Sequence, residues 1–570
     1  MPPHPSVRAV AGFAACCFFI HFAVGCTPSN PITAPSSSPI RQKAVAVPAT
    51  PMEGAPAFTD VAAAAGISYR WQIQGPRPLN ILQTIGNGCA FLDYDNDGNL
   101  DILLVGPKLA LYRGDGKGHF TDVTHAMGLD KLTGYFLGCA VGDYDNDGFD
   151  DVYISANNGG VLLHNEAGKR FVDVTRKAGI AGQPWGTSCT FVDMDGDGKL
   201  DLYICNYVVF GPQTQPRLCA YSGFQSACGP RFYTPERGVL YHNEGKGKFR
   251  DVTAAWRGQT VSGAGLGVAA ADFDGSGRPG LAIANDERPG DLMVNQGGKL
   301  RNIGVESGTA YDGSGNIHGA MGLDWGDYDN DGKLDLVVAT FQHEAKNLYH
   351  NDGGRLFTEQ SLNVGLAEKT IPGVSFGIKF LDFDNDGFLD LAIANGHVQD
   401  NVASIDKSTT YRQTVQLLHN RQGASFEDVS RGAGAAFLQP IVGRGLAIGD
   451  YDNDGKMDIL VVNSEGAPML LHNETPTRNH WLLCRLVGKQ SNRDGIGAMI
   501  TVRAGGKKLL RHCATDGSYL SASDRRVHFG LGDVTEASVT VRWPDGTQSA
   551  YTHVAADRVV TIREGDATLR

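Results

Sequence analysis

The sequence predicts an all-β protein: a seven-bladed β-propeller of four-stranded blades followed by a small β-sandwich-like domain. Three observations carry this. An apolar strand, an Asp cluster and a second apolar strand recur seven times, with clusters beginning at Asp93, Asp143, Asp193, Asp272, Asp327, Asp382 and Asp450. Their steps are 50, 50, 79, 55, 55 and 68 residues, and a period of that length with strand-like units marks a solenoid or propeller. Each unit also holds a third strand ending in a turn such as Leu240-Tyr241-His242-Asn243 or Leu348-Tyr349-His350-Asn351, and a fourth such as Phe120-Thr121-Asp122-Val123 or Phe171-Val172-Asp173-Val174. Four strands per unit make a propeller blade. Gly, at 74 residues of 570, is far above ordinary usage and fits many tight turns.

The ends of the repeat predict how the ring closes. Phe58-Thr59-Asp60-Val61 is a fourth strand that precedes any first strand, and Leu470-Leu471-His472-Asn473 is a third strand with no fourth after it. Residues 58–61 are therefore expected to pair into the last blade, which removes the open sheet edges that invite aggregation. The expected domains are a signal peptide at 1–25, a tether at 26–56, the propeller at 57–474 and a C-terminal β domain at 478–564.

The N-terminus reads as a targeting segment. Arg8 is the only charge before the apolar stretch Ala9 to Val24, which is too short for a membrane span. Ala23-Val24-Gly25-Cys26 resembles the lipobox of bacterial lipoproteins, with Ala in place of the usual Leu, and implies lipidation of Cys26. The Pro-, Ser-, Thr- and Ala-rich stretch that follows cannot bury a core and reads as an extended tether. The expectation is an exported protein, lipid-anchored to the outer membrane or cell surface, or otherwise secreted. Its only contact with the membrane is then the anchor.

The loop between the first two strands of each unit carries the chemistry. Its pattern is Asp-x-Asp-x-Asp-Gly-x-x-Asp. It is complete at Asp93, Asp95, Asp97 and Asp101; at Asp143, Asp145, Asp147 and Asp151; and at Asp193, Asp195, Asp197 and Asp201. It is complete again at Asp327, Asp329, Asp331 and Asp335; at Asp382, Asp384, Asp386 and Asp390; and at Asp450, Asp452, Asp454 and Asp458. Ca²⁺ takes six to eight oxygen ligands, and carboxylates at alternate positions converge on one point, while Gly at the sixth position permits the sharp turn. The EF-hand is excluded because it needs a Glu at position twelve, where Leu104, Ile154 and Val338 stand within β-type apolar runs. In the fourth loop Asp272 and Asp274 remain, but Ser276 and Gly280 replace the third and last carboxylates, so that site is expected to be weak. About six calcium sites follow. The loops hold 26 of the 62 acidic residues, and the net charge of −12 argues against a nucleic-acid surface. At a free calcium tenfold above the dissociation constant, each site adds roughly 1.4 kcal/mol to stability.

The repeat resembles the FG-GAP/VCBS repeat of integrin α-chain propellers across 57–474. Residues 478–564 resemble the ASPIC/UnbV domain of the cartilage-acidic-protein-like family. The matching stretches are Ser491-Asn492-Arg493-Asp494-Gly495-Ile496-Gly497-Ala498, Gly517-Ser518-Tyr519-Leu520-Ser521, His528-Phe529-Gly530-Leu531-Gly532 and Val541-Arg542-Trp543-Pro544-Asp545-Gly546. The resemblance implies extracellular, calcium-dependent binding or adhesion and supplies no catalytic role.

Blade topology then places a ligand. Calcium loops lie on one face, and the loops between strands two and three, with those joining blades, lie on the other. The two largest insertions, about 206–238 and 396–415, rise from that second face, and long loops on a rigid scaffold are usually functional. Its candidate residues are Asp286, Glu287, His318, His343, Glu344 and His397. No short metal-ligand spacing joins them, so a metal or catalytic site there is the lesser reading and ordinary loop polarity the favoured one. His164, His242, His350, His419 and His472 recur with the blade period and read as structural. Cys89, Cys139 and Cys189 share one repeat position with Val268, Leu323, Ile378 and Leu446 and read as buried small residues. Cys219–Cys228 is the preferred disulfide, and Cys484–Cys513 is a second candidate across neighbouring C-terminal strands. Gly505-Gly506 is expected to turn a hairpin in a β-sandwich packed beside the propeller. There Arg493, Asp494 and Asp516 read as satisfied turn residues.

The function expected is a calcium-stabilised binding or adhesion protein that recognises an extracellular or periplasmic glycan or protein. A lyase or hydrolase using the same face is the alternative. No His-Glu-x-x-His motif or phosphate loop is present, so the chain reads as a non-enzyme.

Overall fold

A computed structural model describes residues 55–211 and 218–569. The expected signal peptide, Cys26 and all but the last two residues of the expected tether lie outside the described residues.

The described strands form an antiparallel propeller. The first blade comprises Cys89–Leu92, Asp101–Leu104, Ala110–Gly114 and Phe120–Asp122, paired in that order. Six further four-stranded sets follow, the second and third joined into one sheet by pairing of Trp185 with Asn157. The last set is Gly443–Gly449, Asp458–Asn463, Met469–Asn473 and the N-terminal strand Phe58–Asp60. Phe58 pairs with Asn473 and Asp60 with Leu471, so the N-terminal strand completes the final blade as expected. The first strand of each set packs against that of the next, and Gly443–Gly449 packs against Cys89–Leu92, which closes the ring.

Inner strands are covered on both faces by neighbouring blades, so they read as short continuous apolar runs such as Ile102-Leu103-Leu104, all buried. Outer strands face water and keep one buried apolar residue, Phe in six blades and Leu300 in the fourth. The repeated Phe-Thr-Asp-Val-Thr turn has a hydrogen-bond reason: Asp122 Oδ1 accepts the Thr124 N–H at 2.9 Å, and Thr124 Oγ1 accepts the Leu111 N–H at 3.0 Å. Thr175 with Leu162 and Thr253 with Leu240 repeat this lock.

The C-terminal domain is a sandwich of two sheets. His480–Val487 pairs antiparallel with Val527–Gly532 and parallel with Arg558–Arg563. Met499–Ala504 lies between Lys507–His512 and Glu536–Arg542, with Gln548–Ala555 at the edge. Gly505-Gly506 turns the hairpin, since Ala504 pairs with Lys507.

This domain does not sit beside the propeller. It lies across the Asp-loop face and sends residues 514–524 into the ring. There Ser518 bridges antiparallel to Leu323 and Ala522 bridges parallel to Ala90. Cys139 N–H donates to the Leu520 carbonyl at 3.1 Å, and Leu520 N–H donates to Ser188 Oγ at 2.9 Å. Tyr519 and Leu520 are fully buried. The innermost strands carry Gly where this segment and the neighbouring blades approach. A Cβ at Gly88 would stand 1.7 Å from the Leu520 oxygen, one at Gly322 2.8 Å from the Ser518 oxygen, and one at Gly445 2.5 Å from Ser521 Oγ. At the far mouth, Tyr519 Oη donates to the Ile85 carbonyl at 3.0 Å, just after the short helix Ile81–Thr84.

Two readings change accordingly. Asp494 and Asp516 are satisfied, but by the propeller: Asp143 N–H donates to Asp494 at 2.7 Å, and Thr190 Oγ1 and Ala270 N–H donate to Asp516 at 2.5 and 2.9 Å. Cys484 and Cys513 are free thiols buried in the sandwich core. Cys513 Sγ instead donates to the carbonyls of Asp494 and Arg525 at 3.6 and 3.5 Å. Cys219 and Cys228 form a disulfide, and Cys89, Cys139 and Cys189 are free and buried.

Candidate calcium loops and the opposite loop face

The fifth blade shows how each loop is built. Gly332, at φ +89°, turns the chain so that its N–H meets Asp327 Oδ2 at 3.1 Å, while Asp331 N–H meets Asp329 Oδ1 at 3.1 Å. Asp335, buried at the start of the second strand, accepts the Tyr328 and Asn351 N–H groups. The Leu-Tyr-His-Asn turn then closes over the loop. His350 Nδ1 lies 3.2 Å from Asp335 Oδ1 and 3.4 Å from Asp329 Oδ2, and Asn351 Nδ2 donates to the Phe273 carbonyl of the preceding blade.

Five loops bring two carboxylates and this histidine together, with ligand-type atoms within 4.8 Å of one another. The groups are Asp145, Asp147 and His164; Asp195, Asp201 and His242; Asp329, Asp331 and His350; Asp384, Asp386 and His419; and Asp452, Asp458 and His472. The histidines are thus part of the loops, which their absence from two blades already signals in the sequence. Burial, reinforced by neighbouring carboxylates, pushes Asp450 up to about 8 and Asp193, Asp327 and Asp458 to about 7. Buried carboxylate oxygens without a hydrogen-bond partner include Asp151 Oδ2, Asp327 Oδ1 and Asp452 Oδ1, and also Asp93 Oδ1, Asp95 Oδ1 and Asp272 Oδ1 in the first and fourth loops. Converging, unsatisfied oxygen donors fit a hard divalent cation.

The remaining two loops differ. In the first, Arg113 stands where other blades have His, with Nε 2.7 Å from Asp95 Oδ2 and Nη2 2.8 Å from Asp97 Oδ2. In the fourth, Arg355 pairs with Asp274 at 2.7 Å and Arg542 of the C-terminal domain pairs with Asp272.

On the opposite face the structure brings most of the candidates together. Glu287 N–H donates to the His318 carbonyl at 3.0 Å, and Asp286 bridges to Gly319. The His318 ring lies between Asp312 Oδ2 at 3.1 Å and Glu344 Oε2 at 3.3 Å, and this pairing outweighs burial and raises its pKa. Asp286 accepts Tyr207 Oη at 2.5 Å and is pushed up to about 7 by burial, with Glu287 and Glu344 adding to the rise. Arg231 of the first insertion pairs with Glu287 at 2.9 Å. His343 stands apart, 3.4 Å from Asp406. His397 is buried against Phe341 and held down to about 4 by burial and by Arg444. The insertions also meet each other: Ser226 Oγ donates to Asn401 Oδ1 at 2.9 Å, and Asn401 Nδ2 donates to the Gln225 carbonyl at 2.7 Å.

Within this propeller and its capping sandwich, stretches of the chain match two family models. Residues 93–154, 143–204 and 327–393 match the FG-GAP-like repeat, and residues 488–569 match ASPIC and UnbV. The proteins to which the chain is similar are cartilage acidic protein 1 of Xenopus tropicalis, 24% identical over 80% of this chain and 70% of that one, and of Mus musculus, 25% identical over 84% and 73%. Among solved structures, an Agrocybe aegerita lectin specific for non-reducing terminal N-acetylglucosamine aligns at TM-score 0.40 and 14% identity, over 68% of this chain and 94% of that one. YCF48 from Cyanidioschyzon merolae aligns at TM-score 0.37 and 10% identity, over 71% and 98%. Among the described residues no helix is long and apolar enough to cross a membrane.

Proposed function

We propose that this chain is a calcium-stabilised, exported binding or adhesion protein that meets a glycan or protein partner on the face opposite the Asp loops. The observation that carries this reading is the placement of the C-terminal domain. It covers the Asp-loop face and fills the ring's centre, so the insertions at about 206–238 and 396–415 are the elaborated loops left for a partner. The hairpin Leu218–Tyr221 and Phe224–Ala227, stapled by Cys219–Cys228, carries exposed Leu218 and Phe224 on that side.

Calcium, held by the loop carboxylates, neutralises charges that otherwise repel within nine residues of chain, and so stabilises the scaffold rather than the contact itself. The chain also enters the propeller on the covered side, where Glu474 N–H donates to the Ala57 carbonyl at 2.7 Å and Thr59 Oγ1 donates to Glu474 at 2.7 Å. Glycan arrays and pull-downs with the whole protein, repeated after replacing 206–238 and then 396–415 by short turns, test the reading. Binding is expected to fall with either graft. Binding that survives both puts the partner elsewhere, and turnover of a bound polysaccharide makes the protein an enzyme.

A further inference from the structure

Two loops depart from the other five in the same two respects. The third strand ends in His at His164, His242, His350, His419 and His472, but in Arg113 at the first loop and Val294 at the fourth. Both exceptions receive a guanidinium from the propeller. Arg113 spans Asp95 and Asp97 in the first loop, and Arg355, reaching from the next blade's turn, holds Asp274 in the fourth. Both also receive one from the C-terminal domain: Arg485 Nη2 lies 3.8 Å from Asp93 Oδ2, and Arg542 pairs with Asp272. Among the described residues, no arginine is ion-paired with Asp143, Asp193, Asp327, Asp382 or Asp450, the first carboxylates of the histidine-bearing loops.

The chemistry of the two side chains explains the split. An imidazole can be neutral and donate Nδ1–H to the ninth-position Asp, which orients that ligand without adding charge. A guanidinium is always charged, and its planar fork satisfies carboxylate oxygens bidentately. A divalent ion entering the first loop would have to displace Arg113, which hydrogen-bonds Asp97 and is ion-paired with Asp95, or sit beside that fixed positive group. Lysines do touch the fifth-position Asp in three of the other loops, through Lys199, Lys333 and Lys456. Each is a single amine on one carboxylate and can swing into solvent. The C-terminal domain is basic, with 14 Lys and Arg against nine Asp and Glu over residues 476–570. It directs Arg485 and Arg542 to the first Asp of the two loops that hold no imidazole, whereas in histidine-bearing loops Arg525 pairs with Asp150 and Arg526 and Arg511 reach the Asp450 and Gly387 carbonyls.

We propose that the first and fourth loops are arginine-filled docking points for the C-terminal domain, and that calcium occupies only the five histidine-bearing loops. The proposal rests on the calcium reading above. It sets the stoichiometry at five despite six complete Asp patterns, and it keeps the domain docked when calcium is removed.

Native mass spectrometry of the whole protein, desalted in the presence of calcium, tests the count. Five ions are expected on the wild type and six on Arg113→His, while Arg355→Ser stays at five because Ser276 and Gly280 leave the fourth loop short of carboxylates. Six ions on the wild type, or five on a folded Arg113→His variant, overturn the proposal. No ions on the wild type would overturn the calcium reading instead. The wild-type count decides even if the variant fails to fold. Hydrogen exchange in excess chelator gives a second reading: the amides of 515–524 are expected to stay protected, and their rapid exchange would overturn the calcium-independent docking.

Discussion

Ser188 Oγ accepts the Leu520 N–H at 2.9 Å while donating to the Leu266 carbonyl at 2.6 Å, so one hydroxyl ties the C-terminal segment to two neighbouring blades. Ser188 holds the repeat position that is Gly88, Gly138, Gly267, Gly322, Gly377 and Gly445 in the other blades. The ring is narrow at this level, and only the third blade carries a side chain there, one whose hydroxyl bonds the segment. Gly88→Ala is therefore expected to be severe. Its Cβ would meet the Leu520 carbonyl oxygen at 1.7 Å, backbone that cannot swing aside, and overpacking of this kind costs about 3 kcal/mol. Gly159→Ala, with nothing within 4 Å, is the control. Urea melts of both variants check this, and an unchanged midpoint for Gly88→Ala would mean that the segment is not seated in the ring.

The same glycines mark where the sequence was legible and where it was not. Blade architecture and ring closure could be read because they rest on local repeats: the Asp loop, the Leu-Tyr-His-Asn turn, and the orphan strand at Phe58 whose partner was missing at Asn473. The seating of 514–524 could not, because it joins Leu520 to Cys139 and Ser518 to Leu323 across hundreds of residues with no periodic signal of its own. A glycine before the inner-strand apolar position in six of the seven blades carries that signal in repeat form, but glycine serves the tight turns as well and so does not stand out there. The Cys484–Cys513 pairing failed for a related reason. Sequence places the two on neighbouring strands, whereas Cys484 lies within His480–Val487 of one sheet and Cys513 just past the end of Lys507–His512 of the other. Arg113 was visible as the blade-one departure from histidine, but its reach to Asp95 and Asp97 required the turn's geometry.

Lys379 and Asp324 make a buried ion pair at 2.7 Å between the sixth and fifth blades, and Lys379 also donates to the Asp516 carbonyl at 2.8 Å. Removing one partner strands a buried charge. Lys379→Met is expected to cost about 3–5 kcal/mol, with Asp324→Leu in the same chain recovering part of that loss. A double-mutant cycle by chemical denaturation measures the coupling, and additive single effects would show that the pair is not an interacting unit.

Calcium's stabilising effect is expected to grow with pH. In the cation-free molecule burial holds Asp450 up to about 8 and Asp193, Asp327 and Asp458 to about 7, against about 3.9 in the unfolded chain. Between those limits the folded state binds more protons than the unfolded state, so these groups stabilise fully below about pH 4 and lose that contribution as pH rises through 7 and 8. A bound cation keeps them ionised and removes the penalty. Paired melts in calcium and in chelator from pH 5.5 to 8.5 should diverge. His397, His512 and His528, which burial holds far below the usual histidine range, act in both series and cancel in the difference. A gap that stays constant across the range would sink the linkage.

His350→Ala tests whether the turn histidines serve the loops. His350 Nδ1 lies 3.2 Å from Asp335 and 3.4 Å from Asp329, while its ring meets Tyr328 edge-on and Nε2 stands 3.8 Å from Asp352. Loss of the ring should therefore cost little in folding but leave two ligand carboxylates unoriented. Groups that orient metal ligands from outside the coordination sphere are worth about 10–100-fold in affinity. One of the calcium ions is accordingly expected to bind at least tenfold more weakly in calorimetric titration, with the cation-free melting temperature nearly unchanged. A melt that drops while every affinity holds would return the histidine to a packing role, and the five-loop stoichiometry would then lose the feature that distinguishes those loops from the first.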